Sequence, residues 1–201
     1  MAGWRTLDTE AVVLPVENID TDQLIPARFM SVPRSEGYGD YLLHDMRRDA
    51  TGDPDPAFPL NARPAAGVLL AGRNFGCGSS REAAVYALVD AGIRAVIAPS
   101  FGDIFAGNAV NNGLLPARVS PEDWDRLAGA VAPGLPARVD IEAGTVTLGN
   151  QTVRFDLDES WRVKLINGWD DIDLTRQHST QIGAFKEHRK TAVVWAWPAT
   201  V

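Results

Sequence analysis

Gly67-Val68-Leu69-Leu70-Ala71-Gly72-Arg73-Asn74-Phe75-Gly76-Cys77-Gly78-Ser79-Ser80-Arg81-Glu82 decides the fold class of this chain. A short buried-type strand, Val68 to Ala71, feeds a glycine-rich turn. The chain leaves that turn as a helix-forming stretch from Ser79/Ser80 to Ala91, ended by Gly92. Ile93 to Ala98 reads as the next strand, and Phe101 to Asn111 as a helix closed by Asn112-Gly113. Leu114 to Val119 is a third strand of this kind. Ser120-Pro121-Glu122-Asp123 then opens another helix, with serine as cap and proline in first position. This βαβαβα succession predicts parallel strands joined by right-handed crossovers, hence an α/β fold.

Working outward, Glu10 to Val16 reads as a first strand, followed by a polar turn from Glu17 to Asp22. The segment from Pro26 to Pro64 is rich in Gly, Pro, Arg and Asp, with one or two helical turns expected at Tyr41 to Arg48. Loops of this length in a compact domain tend to be functional. Past the α/β run, Ala137 to Asp140, Thr145 to Leu148 and Thr152 to Phe155 alternate around glycine turns, as antiparallel strands do. Asn167 to Ala184 reads as short helices. The expected architecture is a β/β/α three-layer domain spanning 1–201, with a partly parallel sheet and a smaller antiparallel sheet. A flexible loop is expected over about 28–64 and a C-terminal extension over about 185–201.

Composition narrows the function classes. The chain has 201 residues, 45% hydrophobic and 22% charged, with a formal charge of −7. That balance suits a globular protein in water and disfavours a broad nucleic-acid surface. No apolar run reaches the roughly 18 to 20 residues of a membrane span. Asp8 and Glu10 beside the first apolar run, with no basic leader, argue against a signal peptide, so a cytoplasmic location is expected. Cys77 is the single cysteine, which excludes an internal disulfide and a four-thiolate iron–sulfur cluster held by this chain alone. The three histidines are scattered and lack zinc spacing.

The Gly76-to-Glu82 string gathers backbone N–H groups, two hydroxyls and a guanidinium at a helix N-terminus, which suits an anion. Ser79 to Glu82 fits a capping box, a purely structural reading worth on the order of 1 kcal/mol. Against it, Gly76 and Gly78 allow close approach of a ligand to the backbone. Arg81 also puts a positive charge where the helix dipole prefers an acid, which forgoes stability unless an anion binds. The string matches neither phosphate-loop nor dinucleotide spacing, though a phosphate-binding role stays open. Asn18 to Gln23 reads first as an Asx-type cluster closing the first strand. Asp22 in it is also a candidate to orient a catalytic group. Arg28 and Arg34 are candidates to meet a substrate carboxylate. Cys77 reads as a small packing residue, and Trp195 and Trp197 as packing on the core.

Three stretches together, Asn18-Ile19-Asp20-Thr21-Asp22-Gln23-Leu24-Ile25-Pro26-Ala27, Leu69 to Glu82, and Ile97-Ala98-Pro99-Ser100-Phe101-Gly102-Asp103-Ile104-Phe105, resemble the small subunits of 3-isopropylmalate dehydratases. These are separate-chain relatives of the aconitase swivel domain. Asn112 to Pro116 and Asn167 to Thr175 also fit, so the resemblance runs in order over about 10–190. It implies a hydro-lyase of leucine biosynthesis, active only with a large subunit in a heterodimer or heterotetramer. That large subunit would carry a [4Fe–4S] cluster, with no cofactor bound by this chain and a small diacid as substrate. By motif position Ser79 would be the alkoxide base and Arg81 would stabilise it and bind substrate carboxylate. Ser80 would assist, and Gly78 would lie against the substrate. Asp22 would partner a histidine of the large subunit. Arg34 would bind substrate, and Met30 to Tyr38 would set specificity, with Met30, Val32 and Pro33 against an isopropyl group. One departure stands out: the family's Ser-Ser-Arg-Glu-His-Ala here reads Ser79-Ser80-Arg81-Glu82-Ala83-Ala84. It keeps open a paralogue acting on citraconate, a dimethylmalate or homoaconitate, or a non-catalytic anion-binding swivel.

Overall fold

The computed structural model describes residues 2–78 and 81–197. The strands are β1 (Thr6–Leu14), β2 (Ala66–Ala71), β3 (Ala95–Ala98), β4 (Leu115–Arg118), β5 (Pro136–Asp140), β6 (Thr145–Leu148) and β7 (Gln151–Arg154). The helices are α1 (Thr21–Leu24), α2 (Pro59–Ala62), α3 (Glu82–Asp90), α4 (Asp103–Asn111), α5 (Pro121–Ala130), α6 (Glu159–Asn167), α7 (Asp171–Arg176) and α8 (Ser179–Ala192).

All seven strands form one ladder in the order β4-β3-β2-β1-β5-β6-β7. β2 and β3 are apolar and buried at every position, the pattern of parallel strands covered on both faces. β1 joins the two halves. Its Val12 to Leu14 run parallel beside Leu69 to Ala71 of β2, while Thr6 to Glu10 pair antiparallel with β5. A register shift between Glu10 and Ala11 marks the changeover. The polar half of β1, Thr6 to Thr9, therefore belongs to the strand, which extends four residues before the Glu10 start expected from apolar pattern alone.

The ladder curls on itself. Just beyond β7, the Asp156 N–H donates to the Arg118 carbonyl of β4 at 2.8 Å, bridging the two ends. Between the arms, Val68, Leu70 and Ile97 pack with Val139, Val146, Leu148 and Val153. On the opposite face of the parallel arm, Leu69, Ala71 and Val96 pack with Ala84, Val85 and Leu88 of α3. The molecule thus has the β/β/α layering that the sequence predicts. Its antiparallel strands form the outer β layer as a folded-over arm of the same ladder, hydrogen-bonded through β5 to β1.

Several local expectations are corrected. The capping box expected at Ser79 falls on a residue outside the described ones; α3 itself starts with Arg81 as N-cap and Glu82 as first helical residue, and the Glu82 carboxylate accepts from Asn112 Nδ2 at 2.8 Å. Tyr41 to Arg48 is not helical beyond a 3-10 turn at Gly39–Tyr41, because Leu43 adopts φ 50 to seat its buried side chain and donate its N–H to Leu24. Trp195 does not pack on the core, being 86% exposed, and Trp197 lies beside Lys190 of α8. α6 begins at Glu159, before the helical region read from sequence.

α6 carries Lys164, whose side chain is buried. Its Nζ pairs with Asp171 and donates to Asn111 Oδ1 at 3.1 Å, while Asn111 Nδ2 donates to Asp171 at 3.0 Å. These hydrogen bonds, Lys164 first, hold the Asp171 carboxyl below its usual value. A depressed folded value stabilises the fold above about pH 4 and loses that contribution as pH falls. Asp171→Asn is therefore expected to flatten the acid limb of stability, read as the urea midpoint at pH 7, 5 and 3. An unchanged pH dependence would show that the triad does not respond to acid.

Candidate active site

The carboxyl ends of the parallel strands, where α/β sheets bind ligands, open into three loops that are stitched together. After β1, Asn18 takes φ 56 and its N–H donates to the Arg73 carbonyl at 2.8 Å. After β2, Asn74 takes φ 60, and its Nδ2 donates to Asn18 Oδ1 at 2.9 Å. After β3, Ser100 Oγ accepts the Asn74 N–H at 2.9 Å, and its carbonyl accepts the Phe75 N–H. Gly76 N–H to Ile19 carbonyl (2.8 Å) and Thr21 N–H to Cys77 carbonyl (3.1 Å) continue the seam. The Cys77 thiol is half-buried and reaches the Asn18 carbonyl at 3.5 Å, consistent with packing.

Two glycines are required here. Gly76 has φ 71 and lies so close to Phe105 that a Cβ would sit 2.2 Å from the ring. Gly102 lies against the Gly76 carbonyl, where a Cβ would approach to 2.5 Å. This packing leaves a cleft of about 190 Å³ lined by Thr21, Gly76, Gly78, Arg81 and Gly102 to Phe105.

Asp22 sits in the short helix α1, which Asp20 and Gln23 cap reciprocally: Gln23 N–H to Asp20 Oδ1 at 2.7 Å, and Asp20 N–H to Gln23 Oε1 at 2.9 Å. That box aims Asp22 at Arg81 across the seam, and the two side chains form an ion pair. Arg81 is the more covered partner, its side chain 23% exposed against 53% for Asp22. Among the described residues Asp22 is the only partner of its guanidinium, which has five N–H donors and so keeps several for an anion. A larger cavity of about 540 Å³ lies on the other side of Asp103. Its charged lining of Asp103, Arg118, Asp156 and Asp158 carries excess negative charge and suits a dianion poorly.

The structure thus brings together Asp22, Gly78 and Arg81. Ser79 and Ser80 lie outside the described residues, between two residues that line the cleft. Arg34 and Val32 are placed elsewhere. Arg34 pairs with Asp90 at the far end of α3, with its guanidinium 4.4 Å above the Tyr86 ring. Val32 packs against the α3 side of the core, and its carbonyl accepts the Tyr38 hydroxyl at 2.8 Å. Arg28 pairs with Asp45, whose carboxyl is lowered to about 2 by the Arg28 and then His44 hydrogen bonds. Sequence reasoning missed Asp90 and Tyr86. The signal available was an acid in the last turn of a helix, against its dipole. Ala83 is half-buried against the apolar core.

The profile of the aconitase C-terminal domain matches residues 1–122. A 3-isopropylmalate dehydratase small subunit of Anaeromyxobacter dehalogenans is 47% identical over 193 residues, 94% of this chain and 100% of that one. Its counterpart in Shouchella clausii is 46% identical, over 92% and 94% of the two chains. The chain belongs to the aconitase C-terminal domain family. The family likeness extends to three dimensions. The crystal structure of 3-isopropylmalate dehydratase from Methanocaldococcus jannaschii superposes with a TM-score of 0.65 at 26% identity, covering 90% of this chain and 99% of that one. Among the described residues of this family member, no group of three or more His, Cys, Asp or Glu is placed to hold a metal ion. Nor is any described helix long and apolar enough to cross a membrane.

Proposed function

We propose that this chain is the small, swivelling subunit of a two-chain hydro-lyase that interconverts 2- and 3-isopropylmalate by dehydration and rehydration. The observation that carries the reading is a single half-covered guanidinium, Arg81, paired with Asp22 at the mouth of a glycine-walled cleft on the carboxyl edge of the parallel strands. The named relatives, matched over nearly their whole length, support it. One cysteine does not fit a four-iron cluster, so this chain's part is binding and proton transfer. A larger cluster-bearing partner completes the site, in the cytoplasm.

In this reading the substrate carboxylate binds the free N–H groups of Arg81 and the backbone beside Gly78. Ser79, one residue on, takes the proton from the carbon next to a carboxylate, and Ser80 assists. Asp22 orients Arg81 within the chain and offers its exposed edge to the partner. Arg34 and Val32 act from the recognition loop.

A serine hydroxyl ionises far above neutrality, and each pKa unit is worth about 1.4 kcal/mol. A helix N-terminus supplies at most about 2 kcal/mol. The remainder needs a guanidinium acting where water is excluded. The isolated chain is therefore expected to be inert. Mixing it with a larger, cluster-bearing partner chain should give turnover on isopropylmalate. The assay includes citraconate, a dimethylmalate and homoaconitate, because Ala83 stands where the family has histidine. Preference for one of these would reassign the substrate, and no turnover on any hydroxy diacid would end the enzymatic reading.

A further inference from the structure

Glu82, Tyr86 and Asp90 follow one another at four-residue spacing along one face of α3. Asp90, in the last position, opposes the helix dipole, so in isolation it destabilises the helix it ends. Its side chain is nevertheless only 17% exposed, because a second segment is docked on it. The carboxylate pairs with Arg34 and accepts the Tyr38 backbone N–H at 2.7 Å. Arg34 lies over two rings, 4.4 Å from the Tyr86 centroid and 5.7 Å from that of Tyr38. Gly39 seats against the same helix end so tightly that a Cβ would meet the Asp90 carbonyl carbon at 2.8 Å. Within the segment, the Tyr38 hydroxyl closes on the Val32 carbonyl at 2.8 Å. At the other end of this face, Glu82 follows Arg81 directly and is held by Asn112.

We infer that Asp90 is a positioning residue for substrate recognition, latching the segment from Val32 to Gly39 onto the far end of the helix whose near end carries Arg81. At 1.5 Å per residue, the nine steps from Arg81 to Asp90 set the two apart by about 13.5 Å along the axis of α3. The catalytic guanidinium and the recognition segment thus share one rigid ruler. Met30, 40% exposed, is the large apolar side chain this loop leaves uncovered, so fixing the loop fixes where an alkyl substituent can be met. The consequence for selectivity rests on the functional reading above; the latch itself does not.

The test uses Asp90→Asn, which keeps an acceptor for Tyr38 but loses the charge for Arg34, and Asp90→Glu as the conservative variant. In the isolated full chain, Asp90→Asn should speed amide exchange in 32–39 by about tenfold while leaving 84–88 of α3 unchanged, with Asp90→Glu partly restoring protection. Unchanged exchange in the loop, or equal acceleration in α3, overturns the latch. In the reconstituted pair, the same variant should raise KM for isopropyl-substituted malate about tenfold, with kcat within about twofold. It should also narrow the preference for that substrate over methyl-substituted malate. Unmoved KM and preference overturn the role in recognition. A wild-type pair without turnover would sink the hydro-lyase reading alone, and loop exchange would still decide the latch.

Discussion

Ser79→Ala is expected to lower kcat of the reconstituted pair by about 10³-fold or more, leaving assembly and thermal stability as in the wild type. The site offers few other groups for the proton. The cleft is lined by Thr21, glycine backbone, Arg81, Asp103 and apolar side chains, and Asp22 is already engaged by the guanidinium. In sequence Ser79 follows Gly78, which lines the cleft, and stands two residues before Arg81. A guanidinium near an ionising hydroxyl stabilises the alkoxide strongly only when water is excluded, which ties the activity to closure by the partner. Arg81→Lys should lose about 10²-fold, because an ammonium cannot hold Asp22 and a substrate carboxylate in one plane. Substantial kcat in Ser79→Ala would remove the base assignment while leaving the anion-binding role of Arg81 intact.

How much of this was legible beforehand follows from where the information lies along the chain. β2, β3 and their crossover helices were readable because their apolar runs and glycine stops are local. The start of β1 was not, because Thr6 to Thr9 are polar and become strand only through the ladder with β5. The helix start was not legible for a similar reason: Glu82 takes a partner 30 residues away, Asn112, which no local pattern announces. Asp22 and Arg81 were identified as candidates from their motifs. That they pair across 59 residues depends on the seam of Asn18, Asn74 and Ser100. Asp90 was invisible as a site because its partners, Arg34 and Tyr38, lie in a segment without periodicity. Arg34 was nominated from its loop, and its ion pair with Asp90, 56 residues away, was not legible there.

Gly76→Ala should cost about 2–5 kcal/mol, the sum of about 1–2 for a left-handed backbone with a Cβ and about 1–3 for overpacking. Phe105 cannot easily yield, being 3% exposed, edge-on to Phe75 at 5.4 Å and stacked with Phe101 at 6.4 Å. Gly78→Ala is the control. Its φ of 89 carries a similar backbone penalty, but among the described residues a Cβ there would meet only Asp20 Cβ, at 3.5 Å. It should therefore cost only about 1–2 kcal/mol. Urea denaturation of the two variants separates packing from backbone strain, and equal losses would mean that the Phe105 contact contributes nothing. Gly76 and Phe105 line the same cleft as Arg81, so whichever moves to admit the methyl group also reshapes that cleft. Activity in Gly76→Ala should accordingly fall further than its stability predicts at a temperature where the chain remains folded.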